Sequence, residues 1–499
     1  MTPAPDYRSA TSDDSVRLHW RARALMRHSA TALILFPWLL AGCAAGSSVE
    51  PTPSTPEPVA PAVVDDTPLF SDPFPSTYQP FPSTTTVIQG ATVLTATGPA
   101  IQGGSVVIEN GKIVAVGADV SPPPGATVID ATGRWVTPGV IDTHSHLGVY
   151  PAPGVSSLSD GNEATAPVTA EVWAEHSIWP HDPSFGHAVA GGITALQVLP
   201  GSANLIGGRG VTIRPVPSRT YQGMKFPDAP HGLKMACGEN PKRVYASSGP
   251  ATRMGNVAGY RAAWIRAEKY LRDWRKWKAD GSNEDARPVR DLQLESLAGV
   301  LTGDILVHNH CYRADEMATM IDIAAEFGYS IASFHHGVEA YKVADLLRDN
   351  DICGSLWADW WGFKLEAYDG IQENIALVDA AGACAVVHSD DGHGIQRLNQ
   401  EAAKAMGAAH RRGMTVTHED AIRWITINPA RALGIADITG SLEVGKSGDV
   451  VIWSGDPFSV YSKAEQVFID GALMYDRSRP DPMLYGDFIT GILPGEVIR

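Results

Sequence analysis

Between residues 85 and 138, apolar and polar residues alternate in short runs: TVIQGATVLT, GSVVIENGKIVAVG and ATVIDATGRWVTPG. A period of two is the mark of strands with one buried face. Asn110-Gly111, set between two such runs, predicts a two-residue hairpin. The pattern returns near the far end in SLEVGKSGDVVIWSGDP and AEQVFIDGALMYD. The two ends together therefore predict a small β-sandwich domain drawn from 84–138 and 438–499. Between them, 139–437 alternates apolar runs with helical periodicity, which predicts an α/β fold of the (β/α)8 TIM type. Eight runs read as its strands: 140–146, 193–199, 210–216, 232–237, 304–310, 330–336, 351–356 and 384–390. The stretch 239–292 carries an amphipathic pattern over 260–278 and reads as a cap or outer flank. Gly207-Gly208-Arg209-Gly210 lacks the spacing of a phosphate loop and reads as a turn.

The N-terminal part has a different composition. Residues 29–42 form an apolar run too short to span a bilayer, preceded by Arg17, Arg21, Arg23 and Arg27. It ends in Leu40-Ala41-Gly42-Cys43, which resembles the lipobox of bacterial lipoproteins. The resemblance implies a signal peptide over 1–42 and a diacylglycerol on Cys43. Ala44 after the cysteine then implies the cell envelope, at the outer membrane facing the periplasm. Met26 begins a shorter signal of the same kind, so translation is expected to start there. Residues 43–83 are rich in Pro, Ser and Thr and read as an extended tether, with phenylalanines and Tyr78 available to dock on the folded domain C-terminal to it.

The 499 residues carry a net charge of −16, which argues against nucleic acid as a partner. Cysteines 43, 237, 311, 353 and 384 are scattered and contain no CxxC pair, so neither a disulfide framework nor a cysteine metal site is expected.

The chemistry is concentrated in histidine. In a strand, residues i and i+2 face the same way, so His144 and His146 can share one metal ion. Their context, Pro138-Gly139-Val140-Ile141-Asp142, resembles the first barrel strand of the amidohydrolase superfamily. Gly192-Ile193-Thr194, Leu199-Pro200-Gly201-Ser202, Thr426-Ile427-Asn428-Pro429-Ala430 and the run from Gly440 to Asp449 extend the resemblance to the end of the chain. The imidazolonepropionase-like branch, with bacterial Xaa-Pro dipeptidases, is the nearest in pattern.

That resemblance implies further site residues. His308 in VHNHC would be a ligand, with His310 in the substrate pocket; His336 in HHG would be another, with His335 pointing away. Asp390 in HSDD would be both ligand and general base. Lys234 ends an otherwise apolar strand, where an unpaired ammonium is costly. Carbamylation, as in binuclear members, would remove that cost and bridge two ions; Glu239 is the competing bridge. The implied cofactor is a divalent metal, Zn2+ first, as one or two ions.

The implied reaction is hydrolysis of a C–N bond in a small amide, cyclic amide or dipeptide. Arg209, Tyr221 and Arg253 are candidate carboxylate binders by residue type, and His231 lies near the lysine strand. Two other readings stay open. One is a mononuclear deaminase of a heterocycle, for which His336-x-x-Glu339 has the spacing. The other is a lipid-anchored binding protein without catalysis. A homo-oligomer is compatible with all three.

Overall fold

The computed structural model describes residues 71–152 and 154–479. The signal peptide, Cys43 and most of the tether lie outside these residues, as does the end of the chain from 480.

The alternating segments form one hydrogen-bonded sheet drawn from both ends of the chain. Its strands are β1 (Thr86–Val93), β2 (Ile101–Glu109), β3 (Lys112–Gly117), β4 (Thr127–Asp130) and β5 (Trp135–Pro138), then β14 (Val450–Trp453), β15 (Ala464–Ile469) and β16 (Ala472–Asp476). The order is β16-β15-β14-β5-β1-β2-β3, with β4 branching from β1. The branch lies at Gly90, where β1 bends with φ +80°. Residues before it pair with β4 and residues after it with β5. A Cβ at Gly90 would sit 2.7 Å from Thr132 Oγ1, so only glycine allows the bend. The Asn110-Gly111 hairpin forms as predicted, with both residues at positive φ (51° and 77°), as a primed turn requires.

The second sheet is an almost closed barrel in chain order: β6 (Val140–Ser145), β7 (Ile193–Val198), β8 (Ile206–Ile213), β9 (His231–Ala236), β10 (Ile305–Cys311), β11 (Ile331–His336), β12 (Cys353–Leu356) and β13 (Cys384–Val387). Each predicted run overlaps its strand, but β8 differs in position and direction. It covers the expected Gly207–Gly210 turn and runs antiparallel to both neighbours. The reason is length. Only residues 199–205 connect β7 to β8, enough for a reversal and too few for a parallel crossover. The seam between β6 and β13 is closed by backbone bonds from Ile141 N to Ile425 O, from Val387 N to Trp424 O and from Asp390 N to His144 O, each 2.9 Å. The predicted amphipathic helix spans Arg253–Ala279, packed through Tyr260, Trp264 and Ala267.

The cysteine expectation is corrected. Cys237, just after β9, is bonded to Cys311 on β10, and Cys353 on β12 to Cys384 on β13. Cys353 and Cys384 are direct register partners, a proximity hidden by 31 residues of sequence separation. The last part of the tether docks on the folded domain, as the expectation for Tyr78 has it. Lys225 Nζ binds Asp72 at 2.6 Å, Ser76 Oγ donates to Lys225 O at 2.6 Å, and the buried Tyr78 hydroxyl donates to Asp470 at 2.7 Å.

Candidate metal centre

The C-terminal ends of the parallel strands converge on a nest of imidazoles, the end of such barrels where ligands from separate strands meet. At the end of β6, His144 and His146 bring their Nε2 atoms to 3.3 Å of each other, as the i, i+2 spacing predicts. Both face Asp390 Oδ1, at 3.3 and 3.1 Å. Lys234 rises from β9, fully buried, with Nζ 3.4 Å from His144 Nε2 and bonded to Pro200 O at 2.9 Å. His336 Nε2 lies 3.9 Å from Asp390 Oδ2. Thus His144, His146, Lys234, His336 and Asp390 share one locus. Glu239 does not join them; it pairs with Lys364 at 3.5 Å.

The two β10 histidines occupy different depths. His308 sits deeper, with Nδ1 2.9 Å from His335 Nε2 and Nε2 3.3 Å from the Gln197 amide. It can turn toward the Asp390 locus only by releasing one of these partners. His310 lies beside His336, ring centroids 4.6 Å apart, and Asn240 Nδ2 is 3.4 Å from its Nε2. Its buried Nδ1 has no hydrogen-bond partner among the described residues.

His335 does not point away. Its Nδ1 is 2.9 Å from His144 Nδ1, so it faces the barrel interior. Strand alternation fails here because His336 adopts φ +71°, which turns two consecutive side chains inward. Asp390 also has a left-handed backbone, φ +57°. Non-glycine residues persist in that region only where their surroundings hold them there, often at functional sites.

Burial governs the charges. It drives the imidazoles of His144, His310, His335 and His336 well below the usual histidine range, and those of His308 and His388 to about 3 and about 4. Neutral imidazole is the ligand form. Lys234 is pushed down by burial to about 8. Burial opposes the charge on Asp390, but the hydrogen bond from His146 and the charges of His146, His388 and Lys234 prevail and hold it below the ordinary carboxylate value.

Residues to which the sequence reading gave no role also shape the site. Asp142 accepts from the backbone N–H groups of His144 and Ser389, at 3.1 and 3.2 Å, and from the Ser389 hydroxyl, tying β6 to the chain after β13. Burial raises its pKa to about 7. A carboxylate inside an apolar strand was the available signal. His388 Nε2 lies 3.1 Å from His336 Nδ1. Gln197 gave no signal, since a single amide in a strand is unremarkable until its neighbour is known.

A divalent cation fits the donors. His146 Nδ1 is 2.8 Å from the Leu199 carbonyl, which can only accept. In the tautomer with a single proton on Nδ1, His146 donates there and turns an Nε2 lone pair toward the Asp390 carboxylate and His144. In that tautomer acceptors face acceptors at 3.1–3.3 Å, and a cation among them relieves the repulsion as a proton on Nε2 does. Two imidazole nitrogens and a carboxylate oxygen suit Zn2+ and similar ions. A cleft of about 590 Å3, lined by His146, Tyr150, Ser184, His187, Asp390 and His393, opens this locus to solvent.

The suggested carboxylate binders lie elsewhere. Arg209 stacks on Trp173 and bonds Ser296, Tyr221 lies beside His176, and Arg253 faces Asp315, Glu316 and Glu366. His231 pairs with Glu175 at 3.2 Å.

Known proteins share this architecture and sequence. The Amidohydrolase family matches residues 269–476. Amidohydrolase tasK of Hapsidospora irregularis is 33% identical over 400 residues, 75% of this chain; the chain spans 40% of that relative's length. Imidazolonepropionase of Mesorhizobium japonicum is 26% identical over 376 residues, 71% of this chain and 87% of the relative. The crystal structure of an amidohydrolase from Thermotoga maritima is 36% identical with a TM-score of 0.72, covering 79% of this chain and 100% of that one. With full coverage of a relative at that identity, and the same barrel, this chain belongs to the amidohydrolase superfamily.

Proposed function

We propose that the protein is a metal-dependent hydrolase that cleaves C–N bonds in small amides, cyclic amides or dipeptides. The observation that carries this reading is the convergence of His144, His146 and Asp390 within 3.3 Å contacts at the mouth of the cleft. With His336 and Lys234 alongside, they would hold one or two divalent ions, Zn2+ first, and His308 would join on rotation. Such an ion lowers the pKa of a water molecule and polarises a carbonyl oxygen. Asp390 borders both the locus and the open cleft, so its carboxylate can take a proton from the attacking water and return it to the leaving nitrogen. Lys234 supports the two-ion form. A buried amine with a lowered pKa spends more time neutral, and the neutral amine adds to CO2 with loss of a proton, which replaces a buried cation by an anionic pair of oxygen ligands.

The deaminase reading has less support. Glu339 accepts from Ala314 N at 2.8 Å and bonds Lys342 at 2.9 Å, so its carboxylate is already engaged away from His336. For location, two disulfides support an oxidising compartment, in keeping with the envelope position proposed from the lipobox at Cys43.

Metal analysis of the purified protein, followed by a screen of dipeptides and N-acyl amino acids, tests the reading. Bound divalent metal, and hydrolysis that is lost on chelation and restored by Zn2+, is the expected result. Amide hydrolysis indifferent to chelation would overturn it, as would release of ammonia from heterocycles with no amide cleaved.

A further inference from the structure

The loop after β12 sets a group of aromatic side chains beside the histidine nest. Trp357 stacks on His336, with ring centroids 4.2 Å apart and 23° between planes. Its Nε1 donates to Ser389 O at 3.3 Å, next to Asp390. Trp360 stacks on Trp357 at 5.0 Å and 22°. Phe363 meets Trp357 and Tyr312 edge-on, at 5.8 and 6.4 Å. A column of ring faces thus runs from buried His336 out to Trp360, 40% exposed, and Phe363, 56% exposed.

A contiguous apolar surface left in water at the mouth of a site marks a place where something binds. Its continuity with His336 says what. Any group resting on Trp360 lies at one end of a stack whose other end is 3.9 Å from Asp390. The cation on this wall is already engaged: Lys364 lies 4.1 Å over the Tyr312 ring, bonds Asn240 Oδ1 at 3.0 Å and is 3.5 Å from Glu239. The wall therefore presents flat ring faces rather than a charge. The cleft by His146, Tyr150 and His187 is a separate opening, lined by none of these aromatic residues.

We propose that Trp357, Trp360 and Phe363 form a subsite for an aromatic side chain of the substrate, so that the preferred substrates are N-acyl or dipeptidyl amides of aromatic amino acids. This rests on the amide-hydrolase reading above. Stacked and edge-to-face ring contacts favour an aromatic arm over a methyl group, beyond the greater area buried.

The test is the affinity of the purified, metal-stripped protein for two probes, N-acetyl-phenylalanine amide and N-acetyl-alanine amide, measured by calorimetry. The expected preference for the aromatic probe is roughly ten-fold or more, falling to about two-fold in Trp360→Ala and largely kept in Trp360→Phe. Phe363→Ala lowers it in the same direction and serves if a Trp360 variant does not fold. Equal binding of the two probes by the wild-type protein would overturn the proposal. So would a Trp360→Ala variant that dissociates a dimer in sedimentation, or leaves anionic lipid vesicles, with the probe preference intact. Because no turnover is needed, the preference stands or falls separately from the hydrolase reading: amide cleavage without preference removes only the subsite, and preference without cleavage removes only the reaction.

Discussion

Two buried clusters of charge in this molecule have opposite characters. Where the barrel meets the first sheet, Arg214 is fully buried and its Nε has no hydrogen-bond partner among the described residues, yet its charge is matched on both sides. Its Nη1 donates to both Asp449 oxygens at 3.0 and 3.1 Å, and its Nη2 to Asp470 at 3.0 Å. Asp449 also accepts from Thr439 and from the Asp470 N–H, while Tyr78 donates to Asp470. At the mouth, the Nε2 atoms of His144 and His146 converge on a carboxylate, and His310 keeps a buried nitrogen without a partner among the described residues. A network in which opposite charges face one another makes one arrangement of the chain rigid, whereas acceptors set against acceptors cost stability and are retained where a ligand completes them. The first cluster holds the molecule together; the second is poised for a cation.

Four measurements would break or sharpen this contrast. The largest effect is expected for Asp390→Asn, which keeps an oxygen near the imidazoles but cannot accept the proton. Its kcat should fall by about 10³-fold, with circular dichroism unchanged. Substantial residual turnover would deny Asp390 its role as base.

Arg214→Ala leaves Asp449 and Asp470 buried with no cation. It should cost about 3–5 kcal/mol in denaturant unfolding. A variant of near wild-type stability would mean that charge matching at the junction does not hold the molecule together.

Removing the Cys353–Cys384 bond by the double alanine variant should cost about 2–4 kcal/mol, since it closes a loop of 31 residues. Metal content should stay the same, because both cysteines open their strands, at the opposite end from the imidazoles.

The smallest effect is expected for His335→Ala, which removes the partner of His144 Nδ1. Metal affinity measured by competition with a chelator should fall by about 10–100-fold. Unchanged affinity would show that the buried histidine chain does not orient His144.

Much of this was legible from the chain. Period-two alternation located the strands of the first sheet, and Asn110-Gly111 located its hairpin. Seven barrel strands were visible as apolar runs because parallel strands buried on both faces leave little room for polar residues. The i, i+2 spacing of His144 and His146 was enough to put them on one side of β6, since that geometry is local. Lys234 was visible as an anomaly, an ammonium ending an apolar strand.

What remained hidden was decided by neighbours far away in sequence. The direction of β8 came from the length of the connection that precedes it, which a local hydrophobic pattern does not register. Cys353 and Cys384 became partners only through the register of β12 against β13. His335 turned inward because a left-handed backbone at His336 overrides alternation, and that conformation is held by the packing of Trp357 and His388 around it. The chain alone determined which residue types could carry the chemistry and on which strand each would stand. The tertiary structure decided which of their atoms face one another, because hydrogen-bond direction and burial are properties of a whole environment rather than of any segment.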